Sequence, residues 1–265
     1  MTPHETPNQR TTATAAGVYD WYLNGHHHLP CDAEVAIAAQ KLFPLAGRVA
    51  RYNRDFLQRA VRWMTEQGIR QFLDIGSGYP VAGNVHEIAQ RYARGARVLY
   101  VDLDPDTVTV SNQLLAGSPD AACVRGDVRE PEDILARAEL LDLTKPVGLL
   151  LVSVLPFLPG DVSPLVRRYL ARLVPGSYLA LTHVTTADDE RIRRRQEDVE
   201  QTYNARVRQN VHFRARDEVA ELFADTELVP PGLVLATDWH PPRGYRPDPD
   251  DEANQLLVGA VGRLT

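Results

Sequence analysis

Residues 73–86 read LDIGSGYPVAGNVH, and the fold of the whole chain turns on how this stretch is read. A short apolar run carrying an acid is followed by two glycines one residue apart, Gly76 and Gly78. A turn that cradles a dinucleotide pyrophosphate has a third glycine close behind, so that the next helix can pack on a short loop. Here Tyr79 and Pro80 intervene, and the next glycine is Gly83. Asn84 followed by Glu87 has capping-box spacing, in which the Asn side chain accepts from the Glu87 amide and the Glu side chain reaches back, so a helix is expected to start at residue 84. The loop is therefore longer than in a dinucleotide site and suits a ligand that brings no pyrophosphate. Lacking a Cβ, Gly76 and Gly78 let a ligand come close to the backbone. On this stretch alone, a tight turn that binds nothing stays equally open.

The neighbouring segments narrow the choice. After Gly68 short apolar runs alternate with helical patterns, which predicts an α/β fold with a mostly parallel sheet and helices on both faces. Strands are expected at 71–75, 97–101, 121–125, 147–155 and 178–183, and helices at 84–94, 105–116, 131–141 and 162–173. A polar helix at 188–208 and a shorter one at 216–224 break the rhythm. Two strand-like runs, 232–237 and 255–262, close the chain as a hairpin around the proline-rich HPPRGYRPDPDDEA. Asp102 ends the second strand, 24 residues beyond Gly78, where a carboxylate can accept both hydroxyls of a ribose. Asp104 and Pro105 suit the N-cap and first position of the next helix. The third strand ends in VRGDV, which brings Asp127 to the same edge, able to accept from an adenine amino group. Glycine or acid at three successive strand ends marks the edge where open parallel sheets bind ligands.

Upstream, apolar residues recur at three and four from 42 to 68, the pattern of an amphipathic helix. A helix at 33–43 with Asp32 as N-cap is expected before it. The chain divides into a loosely ordered polar tail (1–16), an N-terminal helical cap or lid (17–68) and a ligand-binding domain (69–265), with a helical insertion at 188–225 covering the substrate site. The 265 residues are 44% hydrophobic, enough for a core, and the net charge of −6 gives no general attraction for phosphate backbones or anionic lipid. No nucleic-acid or membrane partner is expected. The first residues lack an apolar signal core, no stretch approaches ~18 apolar residues, and Cys31 and Cys123 match no metal or redox spacing. A cytoplasmic location follows as the expectation.

LDIGSG, VLYVDLDP, VRGDV and the apolar GLLLVSVLPF, in that order, resemble the class I S-adenosylmethionine-dependent methyltransferases over residues 70–184. VYDWYLNGHHHLPCD, PGSYLALTHVT and VPPGLVLATDW extend the likeness to nearly the whole chain from Gly17 and resemble a bacterial family of S-adenosyl methyltransferases with largely unassigned substrates, in which an aromatic or small residue and Pro replace the third glycine. The resemblance implies a Rossmann-like fold with a seven-stranded sheet and S-adenosyl-L-methionine as cofactor. Gly76, Ser77 and Gly78 would lie on its methionine part, Asp102 on the ribose, Leu103 beside the adenine, Asp127 and Val128 at the adenine edge, and Ser153 nearby at the end of the fourth strand.

Methyl transfer asks for in-line alignment of the acceptor and exclusion of water. A base is needed only where the acceptor loses a proton, and His28 and His183 are the candidates. Tyr19, Trp21 and Tyr22 could favour the sulfonium through their ring faces, or simply anchor the N-terminal segment. Tyr22 is counted with the catalytic candidates, and Tyr19, Tyr203 and Arg206 with the substrate-binding ones, Arg206 for a carboxylate. Three consecutive imidazoles rarely converge on one ion, so no metal is expected at His26, His27, His28 and Cys31; the run departs from the family's pattern. The expected partner is a small-molecule acceptor, with a homodimer compatible. The alternatives are a cofactor-binding sensor or scaffold, an enzyme that cyclises or cleaves the cofactor itself, and an NAD(P)-dependent oxidoreductase, which the long loop and the lack of a Tyr-x-x-x-Lys pair oppose.

Overall fold

Eight strands form one sheet in the computed structural model, which describes residues 10–265 apart from 82, 188–189, 206, 208–209, 247 and 249–250. They are β1 (Gln71–Ile75), β2 (Arg97–Asp102), β3 (Ala121–Arg125), β4 (Gly148–Val152), β5 (Tyr178–Val184), β6 (Glu227–Leu228), β7 (Val234–Leu235) and β8 (Leu257–Arg263). The order is β3-β2-β1-β4-β5-β8-β6, with β7 also on β8. The first five strands run parallel, and β8 is antiparallel to β5, β6 and β7. β6 and β7 pair with successive stretches of β8; the strand expected at 232–237 shortens to β7, β6 lies outside any expected strand, and the seven-strand expectation becomes eight segments.

β1, β2, β4 and β5 are buried on both faces, as parallel strands covered by helices must be. On one face α3 (Ala46–Glu66) lays Phe56, Ala60 and Met64 against Phe72, Leu150 and Trp239, beside α4 (Val85–Tyr92). Α second core on the other face joins α6 (Pro131–Ala136), α7 (Ser163–Leu170) and α9 (Arg216–Glu221) to Leu73, Leu149 and Leu151 through Ile134, Tyr169 and Val219. Each such side chain contributes roughly 1.5–3 kcal/mol on burial. α5 (Pro105–Leu114) follows β2 and is capped by Asp104, which accepts from the amides of Asp106 and Thr107 at 2.8 and 3.4 Å, as the Asp-Pro pair predicts.

Above the carboxyl ends of the parallel strands sit α1 (Ala15–Tyr22) and α2 (Pro30–Leu42), with α8 (Glu190–Asn204) packed on α2. The tail expectation fails over its last residues. Thr14 caps α1, Ala13 bridges to Val207, and Arg10 reaches Asp32 in a paired contact at 2.7 and 3.0 Å; residues 1–9 lie outside the described residues. Asp32 is not the N-cap of α2 but lies in its first turn, where Leu29 is the cap. Fully buried, it accepts from the Thr14 amide (2.9 Å), the Leu29 amide (2.8 Å) and the Arg10 guanidinium. A charge can be buried when several donors satisfy it, and these four tie residues 10, 14 and 29 together. α8 is anchored by Gln196, which donates to the Thr185 carbonyl and accepts from the Ala187 amide, both at 2.9 Å. Its polar face carries a Glu190–Arg194 pair at 3.0 Å.

Candidate active site

The loop after β1 folds back on the end of β2. The amides of Gly76 and Ser77 both donate to the Val101 carbonyl, at 2.8 and 3.1 Å. The Gly78 amide donates to Asp102 Oδ2 at 2.8 Å, and the Asp104 amide to Oδ1 at 2.9 Å. Gly76 and Gly78 have φ of 74° and 66°, in the left-handed region that favours glycine. They serve different ends. A Cβ on Gly76 would sit 2.5 Å from Val154, so that glycine lets the loop pack on the end of β4, whereas a Cβ on Gly78 would meet only open space.

The helix starts after Asn84, as the sequence predicts, but the cap is built differently. Asn84 turns its oxygen toward the loop, accepting from the Val81 amide and Arg54, while Glu87 accepts from the Gly83 amide at 2.9 Å. Arg54 on α3 therefore organises the loop: its Nη2 donates to the carbonyls of Val81 and Gly83 at 3.0 and 2.9 Å and to Asn84 at 3.2 Å.

Two polar atoms at this edge are buried with no hydrogen-bond partner among the described residues, Arg54 Nε and Ser77 Oγ, and the Asp74 side chain is buried at the end of β1. Burial pushes Asp74 up to about 7, the Arg54 charge opposing and the Asp102 charge adding to the rise. Unpaired buried groups are costly, and a pair of donors beside an acceptor complements the two ends of an amino-acid zwitterion. Asp102 is also raised by burial, against the pull of its two amides. Each of its oxygens keeps a free lone pair for a ribose hydroxyl. Leu103 beside it is 42% exposed, an apolar shelf at the cleft.

Asp127 stands on the same edge, but Arg129 grips its carboxylate through Nε and Nη2, lowering its pKa. The Arg129 side chain is 63% exposed, and such an exposed pair yields to a ligand at little cost. The Val128 carbonyl is occupied by the Tyr169 hydroxyl at 2.7 Å. Ser153 has φ of 54°, a strained conformation for a residue with a Cβ, of order 1–3 kcal/mol. Its hydroxyl donates to Asn53 Oδ1 at 2.9 Å, Thr182 donates to the same oxygen at 2.6 Å, and Asn53 Nδ2 donates to the Tyr19 hydroxyl at 2.9 Å. One chain of bonds thus runs from α1 to the ends of β4 and β5.

The residues expected to do acid–base work fare unequally. His183 is fully buried with both ring nitrogens occupied: Nδ1 meets the Val184 carbonyl at 2.7 Å and Nε2 meets Arg214 at 2.6 Å. Burial lowers it to about 4. It braces the end of β5 and cannot take an acceptor's proton. Tyr22 is likewise spent, its hydroxyl donating from α1 to the Ala36 carbonyl of α2 at 3.3 Å, and burial raises its pKa. Tyr19 uses its hydroxyl on Asn53 and the Ala50 carbonyl, so it joins α1 to α3 and offers no free group to an acceptor. The Tyr203 side chain and Arg206 lie outside the described residues. The histidine run splits three ways: His28 Nδ1 meets Asp20 at 2.9 Å, His27 stacks on Tyr79 with centroids 5.9 Å apart, and Cys31 turns to the Arg10 carbonyl. Among the described residues no three His, Cys, Asp or Glu side chains are grouped to hold a metal.

Residues 2–265 match the family model described as S-adenosyl methyltransferase. The chain belongs to that family. A protein of Thermobifida fusca YX, solved at 1.95 Å and provisionally described as a methyltransferase, is 35% identical over 97% of this chain and 97% of its own, with a TM-score of 0.89. A DUF574 family protein of Streptomyces avermitilis is 38% identical over 96% of this chain and 98% of its own, with a TM-score of 0.86. No curated protein matches. The methyltransferase thus takes S-adenosylmethionine as its methyl source, and the unpaired Arg54 Nε and Ser77 Oγ, the buried Asp74 carboxyl and the Gly78–Asp102 turn fit that molecule's amino-acid and ribose portions. Arg54, Asp74 and Asn53 escape a reading of the sequence. Asp74 stood in the decisive stretch, but nothing in the local pattern gave it a task, and Arg54 and Asn53 look like any polar positions on an amphipathic helix.

Proposed function

We propose that this methyltransferase passes the methyl group to a small-molecule acceptor held between the lid, α3 and α8, over the carboxyl ends of β4 and β5. The observation that carries the reading is the Gly78–Asp102 turn beside the unpaired Arg54 Nε and Ser77 Oγ and the buried Asp74 carboxyl, which together present ribose acceptors and a zwitterion's complement on one edge. S-adenosylmethionine supplies an electrophilic methyl on a positive sulfur. Arg54 Nε and Ser77 Oγ donate to its carboxylate, Asp74 accepts from its ammonium, Asp102 accepts from the ribose, and Leu103 and the Asp127–Val128 segment flank the adenine. The lid excludes water. Free Cys31 and Cys123 support a cytoplasmic setting.

Isothermal titration with S-adenosylmethionine should show binding to the wild-type protein that Asp102→Ala weakens at least about 100-fold, the loss of two ribose bonds to a charged acceptor. Unchanged affinity in a folded Asp102→Ala protein overturns the assignment. Formation of S-adenosylhomocysteine with a panel of hydroxyl and amine metabolites separates transfer from a sensor or scaffold role, and product formed without any acceptor identifies an enzyme that consumes the cofactor itself.

A further inference from the structure

Asp20 is 1% exposed, and a single one of its oxygens, Oδ2, accepts from the amides of His27 (3.0 Å) and His28 (2.9 Å) and faces His28 Nδ1 (2.9 Å). From this arrangement we infer that His28 is the general base of the transfer, that Asp20 is its positioning residue, and that the acceptor presents a hydroxyl or an N–H to the methyl group. The inference rests on the methyl-transfer reading above and adds to it the chemical class of the acceptor.

A carboxylate only accepts, so Nδ1 carries the hydrogen and the lone pair stands on Nε2. The His28 side chain is 25% exposed, and Nε2 has no partner among the described residues. The turn that wraps Asp20 is built for it: the Gly25 amide donates to the Asp20 carbonyl at 2.8 Å, and a Cβ on Gly25 would lie 2.0 Å from Asp20 Oδ1. The chain neighbours of the pair locate it. Tyr19, before Asp20, connects through Asn53 to Ser153 at the end of β4. His27, before His28, stacks on Tyr79 directly after the Gly78 turn. Asp20 and His28 therefore belong to a segment that touches the β1 loop through His27 and the end of β4 through Tyr19 and Asn53, while His183 has no nitrogen to offer.

In the transfer, a lone pair of the acceptor oxygen or nitrogen forms the bond to the methyl carbon, and the methyl–sulfur bond breaks with its electron pair staying on sulfur. The acceptor's proton passes to His28 Nε2, and water later removes it. The buried Asp20 charge favours the imidazolium so formed.

Multiple-bond ¹⁵N–¹H spectra of the full chain, with His28 assigned by its loss in His28→Gln, read this directly. The expected result is an Nδ1–H tautomer at His28, and a His28 ring shift that differs between the S-adenosylmethionine and S-adenosylhomocysteine complexes more than that of any other of the 8 histidines. These ligands differ only in the methyl group and its charge. An Nε2–H tautomer, or the same His28 shift in two complexes that calorimetry shows to be formed, overturns the inference and leaves the transferase reading standing. Failure of either ligand to bind overturns both. With phenols and primary amines as probe acceptors, S-adenosylhomocysteine formation should fall about 100-fold in His28→Gln and about tenfold in Asp20→Asn, which keeps the acceptor oxygen but loses the charge. Turnover of tertiary amines or thioethers that His28→Gln leaves unchanged overturns it too.

Discussion

At the carboxyl edge of the sheet, the groups that hold the loops are strand-end residues and their sequence neighbours: Asp102 takes the amides of Gly78 and Asp104, and Val101 takes those of Gly76 and Ser77. In the lid above, residues 10–32 hang on two buried aspartates, Asp32 gathering donors from Arg10, Thr14 and Leu29, and Asp20 gathering those of His27 and His28. The edge has the core of both sheet faces beneath it. Among the described residues the lid has a small apolar cluster, Ala13, Val18 and Ala36 with Trp21, Tyr22 and Val35 against it. Its order therefore depends on polar bonds, and such segments open at lower free energy than core strands.

The sharpest way to break this contrast is Asp32→Ala. It strips the Arg10 guanidinium, 11% exposed, of its paired carboxylate contact, leaving it the Thr12 carbonyl and the more distant Asp106, and leaves two amides unpaired, a loss of about 3 kcal/mol. Hydrogen exchange should rise across residues 10–32 while β1, β4 and β5 keep their protection; loss of protection throughout the sheet would show that lid and sheet are one cooperative unit. Gly25→Ala strikes the other hub and should cost about 2 kcal/mol by thermal unfolding, since the turn must shift away from Asp20. A variant as stable as the wild type would mean that the turn has room to spare.

Asp74 sharpens the comparison from the side of the edge. Its folded pKa, about 7, lies above the unfolded value of ~4, so the folded state binds the extra proton and the ligand-free protein should lose stability as pH rises from about 4 to 7. Binding has the opposite sign: an ammonium needs the ionised carboxylate, so affinity for S-adenosylmethionine should fall as pH drops below about 7. Asp74→Asn should flatten both profiles and weaken binding about tenfold; calorimetry and melting at several pH values check this. The smallest effect is expected from Arg129→Ala, where loss of an exposed pair shifts stability by at most about 0.5 kcal/mol and leaves cofactor affinity intact.

The same contrast explains what the sequence could tell. Gly76, Gly78, Asp102, Asp104 and Asp127 are found where a strand's apolar run stops, and the period of a strand and the chemistry of a cap are local properties. β1 and β3 accordingly fall at their expected bounds, and Asp104 caps α5 as read. The lid's order comes from carboxylates reaching 18 and 22 residues along the chain, to Thr14 and Arg10, and no local pattern marks them. His183 illustrates the reverse error. Its place at the sheet edge was legible, but Arg214, 31 residues away, occupies its free nitrogen. The fourth strand was read as running to residue 155, but it stops at Val152 because Ser153 takes a left-handed conformation held by Asn53, 100 residues distant.

Hydrogen exchange of the full chain with and without saturating S-adenosylmethionine tests the central claim most directly. The account predicts added protection in three separate stretches, the 74–84 loop, the 101–107 turn and the 10–32 lid, with little change at β8. Protection confined to other segments, or none while calorimetry shows the ligand bound, would contradict it.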